Sequence, residues 1–225
     1  DGAEKTTFDE TKEENSTGDC LFLKAVGGDV QFRMIKEHNA PDVKYQVKQG
    51  QSWKIFTPGE TVITIPENTV VSFRAASETQ AFPSNEYGQN VFVMDPKGGN
   101  GKIEASGNIM SLVSQDGSEM SVDDYGFMQL FKDCKILTKA PELPATELGM
   151  HCYTEMFKNC IGITKTPGLN ATELNEYCYQ NMFEGCTNLQ IVVIPESVRT
   201  IGSSAFSGCK SLYSISLPAK LSSLG

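Results

Sequence analysis

Two histidines and one tryptophan are all that a chain of 225 residues offers of those types. With so little imidazole, general acid–base chemistry near neutral pH has few agents. Cysteine occurs seven times but never as Cys-x-x-Cys, which removes the usual zinc and thioredoxin-like spacings. There is no Gly-rich phosphate loop, no Gly-x-Ser-x-Gly and no His-Glu-x-x-His. Basic residues are also scarce: Lys and Arg total 19 against 28 Asp and Glu, a net charge of −9. That balance argues against nucleic acid as a partner, because phosphate contacts need a basic surface. No apolar run approaches the roughly 18–20 residues of a membrane-spanning helix. The expectation is a protein that is not an enzyme, with no cofactor and no metal.

What is present is enough to fold. Hydrophobic residues make up 39% of the chain and charged residues 21%, a composition of packed domains rather than disordered segments. The exception is residues 1–19, with seven acids, two lysines and Phe8 as the one anchor. They are expected to form a flexible acidic leader. The chain opens at Asp1, so any signal peptide removed before it is invisible.

Residues 20–107 carry the period of two that marks half-buried strands. Val30, Phe32 and Met34 alternate with Gln31 and Arg33; Val43, Tyr45 and Val47 alternate with Lys44 and Gln46. Gly27-Gly28, Pro58-Gly59 and Pro66 punctuate the runs. Turn signals arrive about every 8–12 residues, the spacing of a small antiparallel β-sandwich. Trp53 is expected to fill the inter-sheet gap, or else to line a sugar platform. The polar loop from Ala75 to Asn90, with Pro83, Asn85 and Tyr87, is a candidate binding loop.

The second half repeats. Phe131-x-x-Cys134 returns as Phe157-x-x-Cys160, Phe183-x-x-Cys186 and Phe206-x-x-Cys209. The interval from Cys134 to Cys160 is the same as that from Cys160 to Cys186, and the last interval is a little shorter. Leu137, Ile163, Leu189 and Leu212 keep step, each at the same offset after its Cys. LPATEL at 143–148 returns as LNATEL at 169–174, then shortens to IPESV and LPAKL. Such a period falls within the roughly 20–29 residues of leucine-rich repeats. A single coil cannot hide its apolar side, whereas stacked coils share one core. Residues 108–225 are therefore expected to form a leucine-rich-repeat solenoid of about four coils. Its short parallel strands would oppose a helical or irregular convex side. Leu212, Ile215 and Leu217 should point inward or flank the bend, and Ile201–Phe206 should make a short helical turn. Leu221–Gly225 matches Val198–Gly202, half a coil before another Phe-x-x-Cys would fall. The array is thus expected to continue, or its apolar end to be covered by self-association.

Cys134, Cys160, Cys186 and Cys209 share one repeat position and should stack inside as thiols. Neighbouring strands lie near disulfide range, and Cys152–Cys178 is the pair to watch. His151 beside Cys152 lacks a third orienting group. Asp116-Gly117 and Asp123-Asp124 lack an EF-hand pattern. Glu147/Glu173 and Lys139/Lys165 recur one full period apart and read as solvated faces. Outward strand positions give the candidate ligand-binding strip: Thr138, Lys139, Thr164, Lys165, Gln190, Tyr213 and Ser214.

Phe-x-x-Cys-x-x-Leu-x-x-Ile-x-Leu-Pro, with Ile-Gly-x-x-Ala-Phe between coils, resembles the BspA-like leucine-rich repeats of Bacteroides and Treponema surface proteins. Phe206–Leu224 fits that form closely. The longer coils, with Cys-Tyr-x-x-Met-Phe, resemble the variant of gut Bacteroides proteins, and Gly101–Leu112 resembles its junction with a preceding β-rich segment. The resemblance implies a secreted or outer-membrane-anchored cell-surface protein that binds a protein or glycan ligand on host or other cells. It implies adhesion or recognition without catalysis. Many members are lipoproteins whose lipidated Cys precedes an acidic stretch. Residues 1–19 fit such a stretch, Cys20 is a poor candidate for the anchor, and membrane attachment would run through a lipid on a removed leader. Capture of glycans as nutrients and a plain structural spacer are the alternatives; a hydrolase finds no supporting constellation.

Overall fold

A computed structural model describes residues 20–35, 41–47, 51–80, 82, 91–174 and 177–224. The acidic leader, His38 and most of the loop from Ala75 to Asn90, including Pro83, Asn85 and Tyr87, lie outside the described residues.

Alternation makes the first strands. They are β1 (Leu21–Val26), β2 (Val30–Met34), β3 (Val43–Gln46), β4 (Lys54–Phe56), β5 (Val62–Ile65), β6 (Val70–Ala75), β7 (Phe92–Pro96) and β8 (Lys102–Gly107). β2 buries Val30, Phe32 and Met34 and exposes Gln31 and Arg33. β1 buries Leu21, Leu23 and Ala25, leaving Phe22, Lys24 and Val26 on the other side. The order β5-β2-β7 makes one antiparallel sheet. It packs on the sheet of β8, β1, β6, β3 and β4 through Phe32, whose ring lies 5.3 Å from Phe56 and 4.9 Å from Phe73. Phe92 closes the cluster, 5.0 Å from Phe32.

Trp53 is not in that gap. Counting back from buried Phe56, alternation sends Ile55 and Trp53 to the outer face of the sheet. The indole is half-buried there, with the Arg74 guanidinium carbon 4.1 Å over its ring. Four phenylalanines already fill the space between the sheets.

The repeats add β9 (Ser121–Val122), β10 (Leu137–Lys139), β11 (Glu147–Leu148), β12 (Glu173–Leu174), β13 (Ile191–Val193), β14 (Thr200–Ile201), β15 (Ser214–Ser216) and β16 (Ser223–Leu224). All pair in parallel, as successive coils must. The coil length is written in the register. Glu147 faces Glu173, one long period on, whereas Ile191 faces Ser214, one short period on. β10, the first repeat strand, adds in parallel to β8, so the larger sheet runs β10-β8-β1-β6-β3-β4. Leu137 pairs with Ile103 there, and both are buried. One contiguous apolar core runs from Leu21 to Ala205.

Opposite the strands, each coil runs through successive turns. Leu130, Lys132 and Cys134 donate their N–H groups back along their own coil, to Phe127, Gln129 and Phe131. The intervening Gln129, Phe131 and Asp133 donate instead to Thr154, Met156 and Lys158 of the next coil. The pattern recurs: Glu155, Phe157 and Asn159 donate to Gln180, Met182 and Glu184. This satisfies backbone groups that an isolated turn would leave open. The helical turn expected over 201–206 is replaced by this arrangement. Ser204 at φ 58° breaks any helix, and the carbonyls of Ser203, Ala205 and Ser207 accept from Asn181, Phe183 and Gly185 of the preceding coil.

Ile215 and Leu217 occupy inward positions yet are exposed. Their register equivalents Val192 and Ile194 are 0% and 4% exposed, whereas they are 46% and 41% exposed. The inward geometry is the same, but no further coil among the described residues packs over them.

Candidate recognition face

Inside the coils, repeat positions become ladders. The rings of Phe131, Phe157, Phe183 and Phe206 stack at 5.4, 5.4 and 5.8 Å, within 10° of parallel. A second ladder, Phe127–Tyr153–Tyr179, runs beside it. Cys134, Cys160, Cys186 and Cys209 are thiols in a row. Each donates to the carbonyl of a phenylalanine one step back: Phe92 (2.9 Å), Phe131 (2.9 Å), Phe157 (3.0 Å) and Phe183 (3.2 Å). Burial, aided by the charges of Asp133 and Asp95, pushes the Cys134 thiol up to about 12. Burial likewise pushes Cys186 up to about 12 and Cys209 to about 11. Thiols so placed stay protonated at neutral pH and serve packing rather than nucleophilic attack.

The turn side neutralises its own charge. Lys132 Nζ lies 2.7 Å from Glu155 Oε2, and Lys158 Nζ bridges Glu155 Oε1 at 3.1 Å and Glu184 Oε2 at 2.8 Å. His151 stacks between Tyr125 (5.0 Å) and Tyr177 (4.7 Å). These three positions are each one long period apart, a repeat hidden by the change of residue type. The Thr154 hydroxyl donates to the Tyr177 carbonyl and so accepts from His151 Nδ1 at 3.3 Å. Cys152 turns away from this imidazole and donates to the Asp123 carbonyl at 3.0 Å. Asp116 is bound by Ser118, and Asp124 Oδ1 accepts from the Met150 N–H at 2.7 Å. Among the described residues no group of three or more His, Cys, Asp or Glu is placed to hold a metal ion.

The strip drawn from the repeats lies on the strand side in two columns. Thr138, Thr164, Gln190 and Tyr213 follow one another: Gln190 N–H donates to the Thr164 carbonyl (2.9 Å) and Tyr213 N–H to the Gln190 carbonyl (3.2 Å). Thr138 is half-buried and donates its hydroxyl to the Ile103 carbonyl (3.1 Å), so it ties the coil to β8. Tyr213 is 73% exposed. In the second column Lys139 is in register with Glu104 of β8, and Lys165 bridges to Ile191, which faces Ser214. Trp53 stands apart from both columns, yet on the same face. Because β10 extends the larger sheet, the strand side of the coils continues as its outer face.

That continuity brings in residues the repeat pattern did not mark. Rows cross the outer face in register: Ile55–Lys44–Arg74, Gln46–Ser72–Phe22–Ser106, and Val70–Lys24–Glu104–Lys139. Alternation within β1, β3, β6 and β8 signals that these side chains point outward. Only the β8–β10 pairing shows that they adjoin the coils.

Residues 128–225 match the family model described as BspA type Leucine rich repeat region, in six copies. No curated protein and no solved structure matches the chain. Among the described residues no helix is long and apolar enough to cross a membrane. Residues 128–225, with their stacked coils and in-phase ladders, form a BspA-like leucine-rich-repeat region.

Proposed function

We propose that this protein is a non-enzymatic recognition or adhesion protein of the cell surface or secreted space, and that it binds a protein ligand through its strand side. In this reading a β-sandwich domain carries a leucine-rich-repeat domain and continues its binding face. The observation that supports it best is the pair of columns Thr138–Thr164–Gln190–Tyr213 and Lys139–Lys165, an open, rigid, mixed polar surface. Side chains on strands hold their spacing, so a partner meets a pre-organised surface and little ordering entropy is lost. The turn side is a poorer candidate, since its charges are already paired. Glycan capture through Trp53 is less favoured, because Arg74 occupies one face of the indole.

The test is binding of the whole chain to a panel of immobilised extracellular matrix proteins and to intact host and bacterial cells. Saturable binding that Gln190→Ala/Tyr213→Ala weakens, and that a Ser203→Ala/Ser207→Ala pair on the turn side leaves intact, supports the reading. Binding to none of them, or loss only in the turn-side variant, contradicts it.

A further inference from the structure

The outer face of the larger sheet and the strand side of the coils hold an unusual share of cations for so acidic a chain. At the outward positions of β1, β3, β6, β8 and β10 and at the Lys165 bridge the charged residues are Lys24, Lys44, Arg74, Lys102, Lys139 and Lys165, against Glu104 and the exposed Glu142 at the bridge to Asn108; the exposed Glu147 stands on the separate sheet of β9, β11 and β12. Among the described residues, the ion pairs of the molecule lie elsewhere: Arg33–Asp95 on β2 and β7, and the Lys132–Glu155–Lys158–Glu184 row on the turns. The face therefore opposes in sign a chain of net charge −9. From β3 to the coil of Lys165 there are five strand-to-strand steps, which at about 4.8 Å each span about 24 Å.

Arg74 differs from the lysines. Its guanidinium carbon lies 4.1 Å over the Trp53 ring, and its buried Nε has no hydrogen-bond partner among the described residues. A planar guanidinium against an aromatic ring and short of an acceptor suits a carboxylate, which takes two parallel N–H bonds. Lys44 stands beside it in register. Apolar side chains share the face: Ile55 is 52% and Val193 46% exposed. Apolar patches among cations fit a polypeptide better than a sugar chain, which would call for open aromatic faces.

Resting on the strand-side reading above, we propose that the partner presents an acidic protein segment. It would lie across both the coils and the outer sheet face, with one carboxylate on Arg74 and others along Lys44, Lys24, Lys139 and Lys165. Complementary charge of this kind sets the register of a docked chain and speeds encounter.

The probe is a fluorescent oligo-glutamate of about ten residues, which extends over roughly 33 Å, titrated by anisotropy at low salt into the whole chain. Lys44→Glu/Arg74→Glu and Lys139→Glu/Lys165→Glu should each weaken binding about tenfold. Lys97→Glu/Lys220→Glu, with the same charge change off the face, should alter it less than about twofold. Should Arg74→Glu disturb folding, Lys24→Glu/Lys44→Glu serves in its place, and Arg74→Lys should lose affinity while keeping the charge. Equal losses in all double variants, or no binding by the unaltered chain, overturn the proposal. So does heparin binding where oligo-glutamate does not, which makes the partner a glycan. Binding that appears only after deletion of residues 1–19 also overturns it, since the chain's own acidic leader is then the occupant. If Gln190→Ala/Tyr213→Ala abolishes ligand capture while the charge variants leave capture and probe untouched, this extension fails and the recognition reading stands.

Discussion

The thiol of Cys160 donates its hydrogen to the carbonyl oxygen of Phe131, one coil back, across 2.9 Å. The same bond links Cys134 to Phe92, which belongs to β7 and not to a repeat. The ladder of thiols thus begins on the preceding sheet, and the coils are anchored to it by the bond that joins them to each other.

Cys160 is therefore expected to resist alkylation in the native protein at pH 8 and to react fully in denaturant. Mass spectrometry after each treatment reads the difference. Cys160→Ala loses a buried bond and some packing, and should cost about 1–2 kcal/mol in denaturant unfolding. Recovery of Cys160 in a disulfide from untreated protein contradicts this account.

Phe157 lies between Phe131 and Phe183, fully enclosed, whereas Phe206 has a ring on one side and is half-buried. Phe157→Ala should cost about 3–5 kcal/mol, the usual range for an enclosed aromatic. Phe206→Ala should cost clearly less. Equal losses in a chemical melt would mean that ring position along the stack carries no weight.

The pairing of Glu155 with two lysines predicts a pH effect of definite sign. Burial alone would raise its carboxyl, but hydrogen bonds from Lys132 and Lys158 outweigh burial and hold it below the usual 4.5. A depressed carboxyl contributes stability that is whole above 4.5 and is lost as pH falls through the folded value. Glu155→Gln should therefore lower Tm near neutral pH and narrow its gap to the unaltered protein as pH drops below about 4.5. A gap unchanged across that range contradicts the assignment.

Gly107 ends β8 at φ +73°, and a β-carbon there would press on the Cys20 carbonyl and the Phe22 ring. Gly107→Ala should destabilise by about 1–3 kcal/mol. Thermal unfolding followed by circular dichroism measures it.

Much of this is legible in the residues. The Phe-x-x-Cys spacing foretells both the thiol row and the two register lengths, because a repeat position is a place in a stack. Alternation foretells which faces of β1 and β2 are buried. The outward place of Trp53 follows from alternation once Phe56 is known to be buried, but its contact with Arg74 depends on the β3–β6 register, which pairs Lys44 with Arg74 and has no local signature. The inward position of Ile215 is legible, but its exposure is not, because burial there depends on a coil above it and not on its own strand. The Tyr125–His151–Tyr177 stack is hidden because spacing persists while residue type does not. Of the candidate face, the repeat half can be drawn from periodicity. The other half depends on the parallel pairing of β8 with β10.

Site-specific photo-crosslinking puts the central claim to its most direct trial. A photoreactive side chain is placed at Gln190 or Lys165 on the strand columns, and at Ser203 on the turns. Each is then irradiated with the ligand found in the binding panel. The account predicts crosslinks from positions 190 and 165 and none from 203. Crosslinking from 203 with silence at 190 and 165 would place the ligand on the turn side and contradict it.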